Sequence, residues 1–211
     1  ATISALNSTD SGNNTNWNFA VAGVVNTWTG GANTDWGNGA NWDKGRAPLP
    51  ADSATVISNG CPFYPVLTAP KNVNDLAIMS GASIGLNGND FDVYGDATLE
   101  GALAAAASET LRFRGNVNFT GGAFSNAATL VILGGSTPQT VTSAGQRFHR
   151  LTLTNTAASV TFADAAQADY YRIESATVVY QGDFEAGDFR VYSDGGAVTQ
   201  TRALTAKTDL P

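Results

Sequence analysis

The feature that most constrains this chain is a cadence of short strands that begins near Asn72 and continues almost to the last residue. Segments such as NDLAIMS, DFDVYGD, ETLRFRG, ATLVILGG, FHRLTLTN, YYRIES and FRVYSDG alternate apolar and polar residues or carry a short apolar run. Gly-, Asn-, Asp- or Ala-rich turns separate them about every seven to twelve residues. No segment sustains an apolar residue every 3.6 positions, and the alanine-rich stretch Ala102–Ser108 is too short to stand as a helix. The chain is therefore expected to be all-β.

Such a cadence suits a β-sandwich or a solenoid. The solenoid is favoured because apolar pairs recur at roughly 20 residues: Leu76/Ile78, Phe91/Val93, Leu111/Phe113, Leu130/Ile132, Leu151/Leu153, Ile173 and Phe189/Val191. Stacked in successive coils, they would make an inward ladder, and the small residues after each strand suit tight corners. The expected fold is a right-handed parallel β-solenoid, with the β-sandwich as the alternative. Leu76, Phe91, Leu111, Leu130, Leu151 and Val191 are expected to face inward.

The N-terminal third differs, and three parts follow: residues 1–20, 21–71 and 72–211. Ala1, Thr2, Ile3, Ser4, Ala5 and Leu6 alternate as a strand with no visible local partner, and an Asn/Ser/Asp/Gly turn follows. This part reads as the end of a preceding repeat. Residues 21–71 form a Trp/Gly/Pro-rich lead-in or cap, whose prolines after Cys61 suit a sheet edge or a loop.

Charged residues make up only 14% of the chain, but 43% hydrophobic residues are enough to drive collapse. A net charge of −7 with three lysines and eight scattered arginines argues against nucleic-acid binding. A low-lysine, acidic surface suits an extracellular protein. Cys61 is the only cysteine, so no internal disulfide can form, and its plain reading is a small buried apolar residue. No apolar run approaches the 18 or so residues of a membrane span. With neither a leader nor an initiating Met, the chain is expected to be part of something longer.

The run WTGGANTDWGNGANWDKGRAPLPADSATVI resembles a recurring opening of bacterial cell-surface β-solenoid proteins, of the form W-x-G-G…W…A-x-N-W…P…D-x-A-x-I. NDLAIMSGASIGLNGNDFDVYGDATLEG and GGSTPQTVTSAGQRFHRLTLTNT look like their coils, and NSTDSGNNTNWNF looks like the close of a preceding domain. The resemblance covers nearly the whole chain. It implies a repeat module of the adhesin or autotransporter-passenger kind, exposed on a bacterial surface and repeated in tandem.

Candidate sites are few. His149 is the sole histidine, with no nucleophile elbow nearby, and His/Cys metal clusters are excluded by count. Asp90 and Asp92 would share a strand face at a spacing that suits paired acid–base work or calcium, although a turn and a solvated face explain them too. Asp10 and Asn14 lie in an oxygen-rich segment that could hold calcium or simply form Asx turns. No other cofactor is implied. Trp28, Trp36 and Trp42 could stack on sugars or plug the open end of a solenoid, and their arrangement favours the plug.

The leading expectation is a non-enzymatic building block of an extracellular fibre, adhesin stalk or filament, with further copies as partners through end-to-end strand contacts at residues 1–6. A carbohydrate-binding adhesin module, using the tryptophans or Tyr170, Tyr171 and Tyr180 on surface glycans, is the alternative. A polysaccharide-active enzyme is less favoured, because no exposed face is seen to gather Asp with Lys or Arg.

Overall fold

The chain folds into a parallel β-solenoid with almost no helix. The computed structural model describes residues 3–6, 17–20, 24–56, 60–105, 107–155, 159–192 and 205–206, with only the backbone path for 3–6, 17–20, 54–56 and 205–206. In chain order the strands are β1 (Ile3–Leu6), β2 (Trp17–Ala20), β3 (Val25–Trp28), β4 (Ser53–Val56), β5 (Lys71–Val73), β6 (Leu76–Ile78) and β7 (Ser83–Gly85). Next come β8 (Phe91–Val93), β9 (Ala97–Leu99), β10 (Ala102–Ala105), β11 (Thr110–Phe113), β12 (Val117–Asn118), β13 (Phe124–Asn126) and β14 (Leu130–Leu133). The last are β15 (Gln139–Thr142), β16 (Arg147–Leu153), β17 (Ser159–Phe162), β18 (Ala166–Ile173), β19 (Thr177–Tyr180), β20 (Phe184–Val191) and β21 (Thr205–Ala206).

Two eight-stranded sheets run along the molecule. The front sheet has the order β21-β20-β18-β16-β14-β11-β8-β5, and the back sheet β19-β17-β15-β12-β9-β6-β4-β3. A third sheet of three strands, β13-β10-β7, closes the cross-section, and β1 pairs with β2 separately. In the front sheet Phe91, Leu111, Val131, Leu151 and Tyr171 are successive partners, so the 20-residue period of the sequence is the length of one coil. Back-sheet steps are less regular, from 18 residues (Val160 to Val178) to 28 (Val25 to Ser53).

Period-2 alternation sends one set of side chains inward from each sheet. Phe91, Val93, Leu111, Phe113, Val131, Leu133, Leu151 and Leu153 line the core from the front, and Leu76, Ile78, Leu99, Val117, Val141, Val160 and Phe162 from the back. Two inward expectations need correcting. Leu130 and Ile132 are half-buried on the outer side, because the register aligns Val131 with the buried Leu111 and Leu151. Val191 is 44% exposed, since among the described residues the neighbouring β21 pairs with Glu185 and Ala186 and stops short of it.

The lead-in joins the solenoid directly, as β3 and β4 continue the back sheet beyond β6. Nor is Ile3–Leu6 without a local partner: it pairs in parallel with Trp17–Ala20, in the register Ile3 to Trp17. Ala1 and Thr2 lie outside the described residues.

The corners explain the wealth of Asp and Asn. Asp75 Oδ1 accepts the Asp96 N–H at 2.9 Å, Asp96 Oδ1 accepts the Asn116 N–H at 2.7 Å, and Asn116 Oδ1 accepts the Thr140 N–H at 2.9 Å. Each side chain thus satisfies a backbone donor of the next coil where ladder bonding lapses. At the same corner a Cβ on Gly115 would collide with the Gly95 carbonyl, so close stacking requires glycine there.

The cross-section changes along the axis. The third sheet ends at β13, and β16, β18 and β20 then lengthen to seven or eight residues and take over its face. Asn126 bridges the handover, donating to the Arg147 carbonyl at 2.8 Å and accepting the His149 N–H at 2.6 Å. This half of the core is aromatic, with Phe162 stacked on Tyr180 at 5.7 Å and Tyr171 packed on Phe184 at 4.4 Å.

Tyr171 and Tyr180 share a hydrogen bond between their hydroxyls at 2.6 Å inside that core. Burial pushes the Tyr171 phenol well above its usual range, and burial, opposed by the Tyr171 hydrogen bond, lifts Tyr180 to about 12. Below pH 10 both phenols stay protonated, folded or unfolded, and the stabilisation is complete. As pH rises through the window from 10 to about 12 the unfolded chain sheds protons that the fold retains, so stability falls. Thermal melts should show a loss on the order of 2–3 kcal/mol across that window. The Tyr171→Phe/Tyr180→Phe variant should lose less, and an equal loss would assign the effect to other groups.

Candidate functional site

Trp28, Trp36 and Trp42 are 0%, 1% and 3% exposed. Trp42 meets Trp28 and Trp36 edge to face at 5.0 and 4.8 Å, and Trp36 packs on Phe91 at 5.7 Å. The Trp28 indole N–H donates to the Phe63 carbonyl at 2.7 Å, and that of Trp42 to the Trp36 carbonyl at 2.8 Å. The buried Asn41 ties the loop around them: its Oδ1 accepts the N–H groups of Ala32 and Asn33, and its Nδ2 donates to Asn33 Oδ1 and the Asp35 carbonyl. Buried in this way, and with the indole N–H groups of Trp28 and Trp42 spent on carbonyls, these tryptophans leave no ring face open to a sugar. They close the core beside β3 and β5, and the stacking-platform expectation is corrected.

The acidic cluster is equally engaged. Asp90 accepts the Thr110 N–H at 2.7 Å, Asp96 serves its corner, and Asp92 is paired with Arg112 at 3.4 Å and Arg114 at 2.8 Å. Asp90 and Asp92 thus spend carboxylate oxygens on the sheet itself, and no group of three His, Cys, Asp or Glu suited to a metal occurs among the described residues. Asp10 and Asn14 lie outside the described residues. Cys61 packs half-buried against the core, its Sγ donates to the Trp28 carbonyl at 3.6 Å, and burial raises its pKa, which disfavours the thiolate.

His149 and Asp169 sit where β16 and β18 bend between the former third face and the front face. The imidazole Nδ1 lies 3.1 Å from Asp169 Oδ2, and Arg147 Nε donates to Asp169 Oδ1 at 2.6 Å. Neither a hydroxyl nor a thiol is hydrogen-bonded to this imidazole among the described residues. Of the tyrosines expected at the surface, Tyr170 is 51% exposed and lies edge-on to His149, whereas Tyr171 and Tyr180 are buried.

What the sequence reading missed is the outer face of the front sheet. Of the seven described arginines, Arg112, Arg147, Arg150, Arg172 and Arg190 lie in front-sheet strands, and Arg114 directly follows β11. They are gathered, not scattered. One outward column, in register, runs Asn72, Asp92, Arg112, Ile132, Thr152, Arg172 and Arg190. A second runs Thr110, Leu130, Arg150, Tyr170 and Asp188.

The exposed Tyr94 and Tyr192 flank these columns, with Arg114 stacked over Tyr94 at 4.8 Å and Arg172 over Tyr192 at 4.2 Å. Arg172 pairs with Glu174 at 2.9 Å and Arg190 with Asp188 at 2.8 Å, while Arg150 has no ion pair among the described residues. The hydrogen bonds that Arg114 donates to Asp92 raise its pKa further. The expectation that no exposed face joins Asp with Arg is therefore wrong. Folding the sequence at its 20-residue period and marking the outward parity would have aligned the arginines.

Chemically, the face presents guanidinium forks beside aromatic and apolar surface, a pattern suited to anions. Comparison of the chain with protein-family models, curated proteins and solved structures finds no match.

Proposed function

We propose that this chain is a non-catalytic structural module of an extracellular surface fibre or adhesin stalk, joined to further copies in tandem or head to tail. The observation that carries this reading is the uninterrupted pair of eight-stranded parallel sheets. A fold whose coils bond only to their neighbours gains length without a new core, which suits a spacer. The tryptophan plug and corner relay serve the same end, since they invest the chain's polar and aromatic residues in the stack itself. Among the described residues β5 at one end, and β19 and β21 at the other, have one strand neighbour each, while the segment Asn41–Asp43 lies along the free edge of β3. Such edges accept an added strand, and head-to-tail contacts of this sort do not close.

The β1–β2 pair at residues 3–6 and 17–20 is the proposed docking element. Sedimentation velocity over a concentration series should show end-to-end association that is lost on deleting residues 1–8, while circular dichroism stays that of a β-protein. Antibodies to the chain should label intact source cells. Association of the truncated chain equal to that of the intact one overturns the docking role, and labelling that requires permeabilised cells overturns the extracellular role.

A further inference from the structure

We propose that the outer face of the front sheet binds an acidic polysaccharide bearing carboxylates along its length, independently of the stalk role above. The first argument is charge. On a chain of net charge −7, this face gathers Arg112, Arg114, Arg150, Arg172 and Arg190 against Asp90, Asp92, Glu174 and Asp188 among the described residues. Arg112 and Arg114 share one carboxylate, and Arg150 has no ion-pair partner among the described residues, so guanidinium capacity remains for an outside anion. Guanidinium forks match carboxylates in a bidentate way that lysine cannot.

The second argument is geometry. Stacked columns repeat at ~4.8 Å, the separation of neighbouring strands, which is comparable to the length of one sugar ring. A linear polymer with regularly placed charges lying along the columns therefore meets a new side chain at each coil. Leu130 and Ile132, half-buried on this outer side, supply an apolar floor between the arginines, and Tyr170 stands exposed beside Arg150 in register. Apolar floor and aromatic ring suit the C–H faces of pyranoses. Duplex DNA, with a charge every ~1.7 Å, asks for a far denser cationic surface than five partly neutralised arginines offer.

The test is affinity electrophoresis of the intact chain in gels containing polygalacturonate or alginate, with dextran, dextran sulfate and duplex DNA in parallel. Polygalacturonate or alginate should retard the chain, salt should relieve the retardation, and dextran should have no effect. The Arg112→Gln/Arg150→Gln variant should bind at least tenfold more weakly with an unchanged melting temperature, and Lys44→Gln, on the exposed lead-in, should bind as the parent does. Three results would each overturn the proposal: no retardation by either uronate polymer, equal retardation by dextran, or undiminished binding by the folded double variant. Tighter binding to dextran sulfate or DNA than to the uronates overturns the assignment to carboxylates.

Discussion

Replacing Trp36 with alanine is expected to destabilise the chain by ~3–5 kcal/mol, the usual range for deleting a large buried aromatic side chain. Trp36 is 1% exposed and touches both Trp42 and Phe91, linking the loop around Asn41 to the first front-sheet coils. Its removal leaves a void at the end of the stack. Trp42 would then lose one of its two edge-to-face partners, so the cost falls on the whole plug. Urea denaturation should place the midpoint of Trp36→Ala well below that of Tyr170→Ala, whose 51% exposed ring should change stability by no more than ~0.5 kcal/mol. A loss below ~1 kcal/mol for Trp36→Ala would mean that the plug contributes little to holding the stack together.

The second large effect is expected at the ion pair that secures the lead-in, and it should be asymmetric. The Asp52 side chain is fully buried, accepts from Arg46 Nη2 at 3.1 Å and from the Leu49 N–H at 3.1 Å, and is also contacted by Arg46 Nη1. Arg46 keeps 29% of its side chain in solvent. Removing one member of a buried pair costs roughly 3–5 kcal/mol, because the survivor is left uncompensated. Arg46→Ala should fall at the upper end of that range, since it strands a carboxylate with no access to water. Asp52→Ala should fall at the lower end, since the guanidinium can turn outward. Replacing both with leucine should recover part of the loss. Equal losses for the two single variants would show that access to water does not decide the cost.

The coil period was legible in the sequence because a ladder of identical coils writes the same spacing many times. Phase was not. In ATLVILGG four apolar residues run together, and nothing local says which pair faces in. Alignment of Val131 with Leu111 and Leu151 decides it, and that is a property of the neighbouring coils. Trp28, Trp36 and Trp42 announced a plug or a platform, and only their burial distinguishes the two. The arginine face was hidden for a related reason. Arg112, Arg150, Arg172 and Arg190 are irregularly spaced along the chain, and they become neighbours only when coils of 20 and then 18 residues are stacked. Tyr171 and Tyr180 misled because adjacent tyrosines in a strand-rich segment look like surface residues, whereas parity sends Tyr171 inward while its neighbour Tyr170 points out.

The uneven steps of the two long sheets bear on how such a molecule can change. Front-sheet partners keep to 20 residues over five coils and to 18 over the next, while back-sheet partners range from 18 to 28. Because each of those front-to-front steps counts the whole coil, what varies is where along the coil the back strand falls, and the front columns hold their register. The outer face behaves as a lattice of fixed addresses, on which a single substitution changes one site without displacing the others. A lineage or a designer could therefore rewrite the chemistry of that surface residue by residue while the back strands shift along their coils, and the two kinds of variation would scarcely interfere.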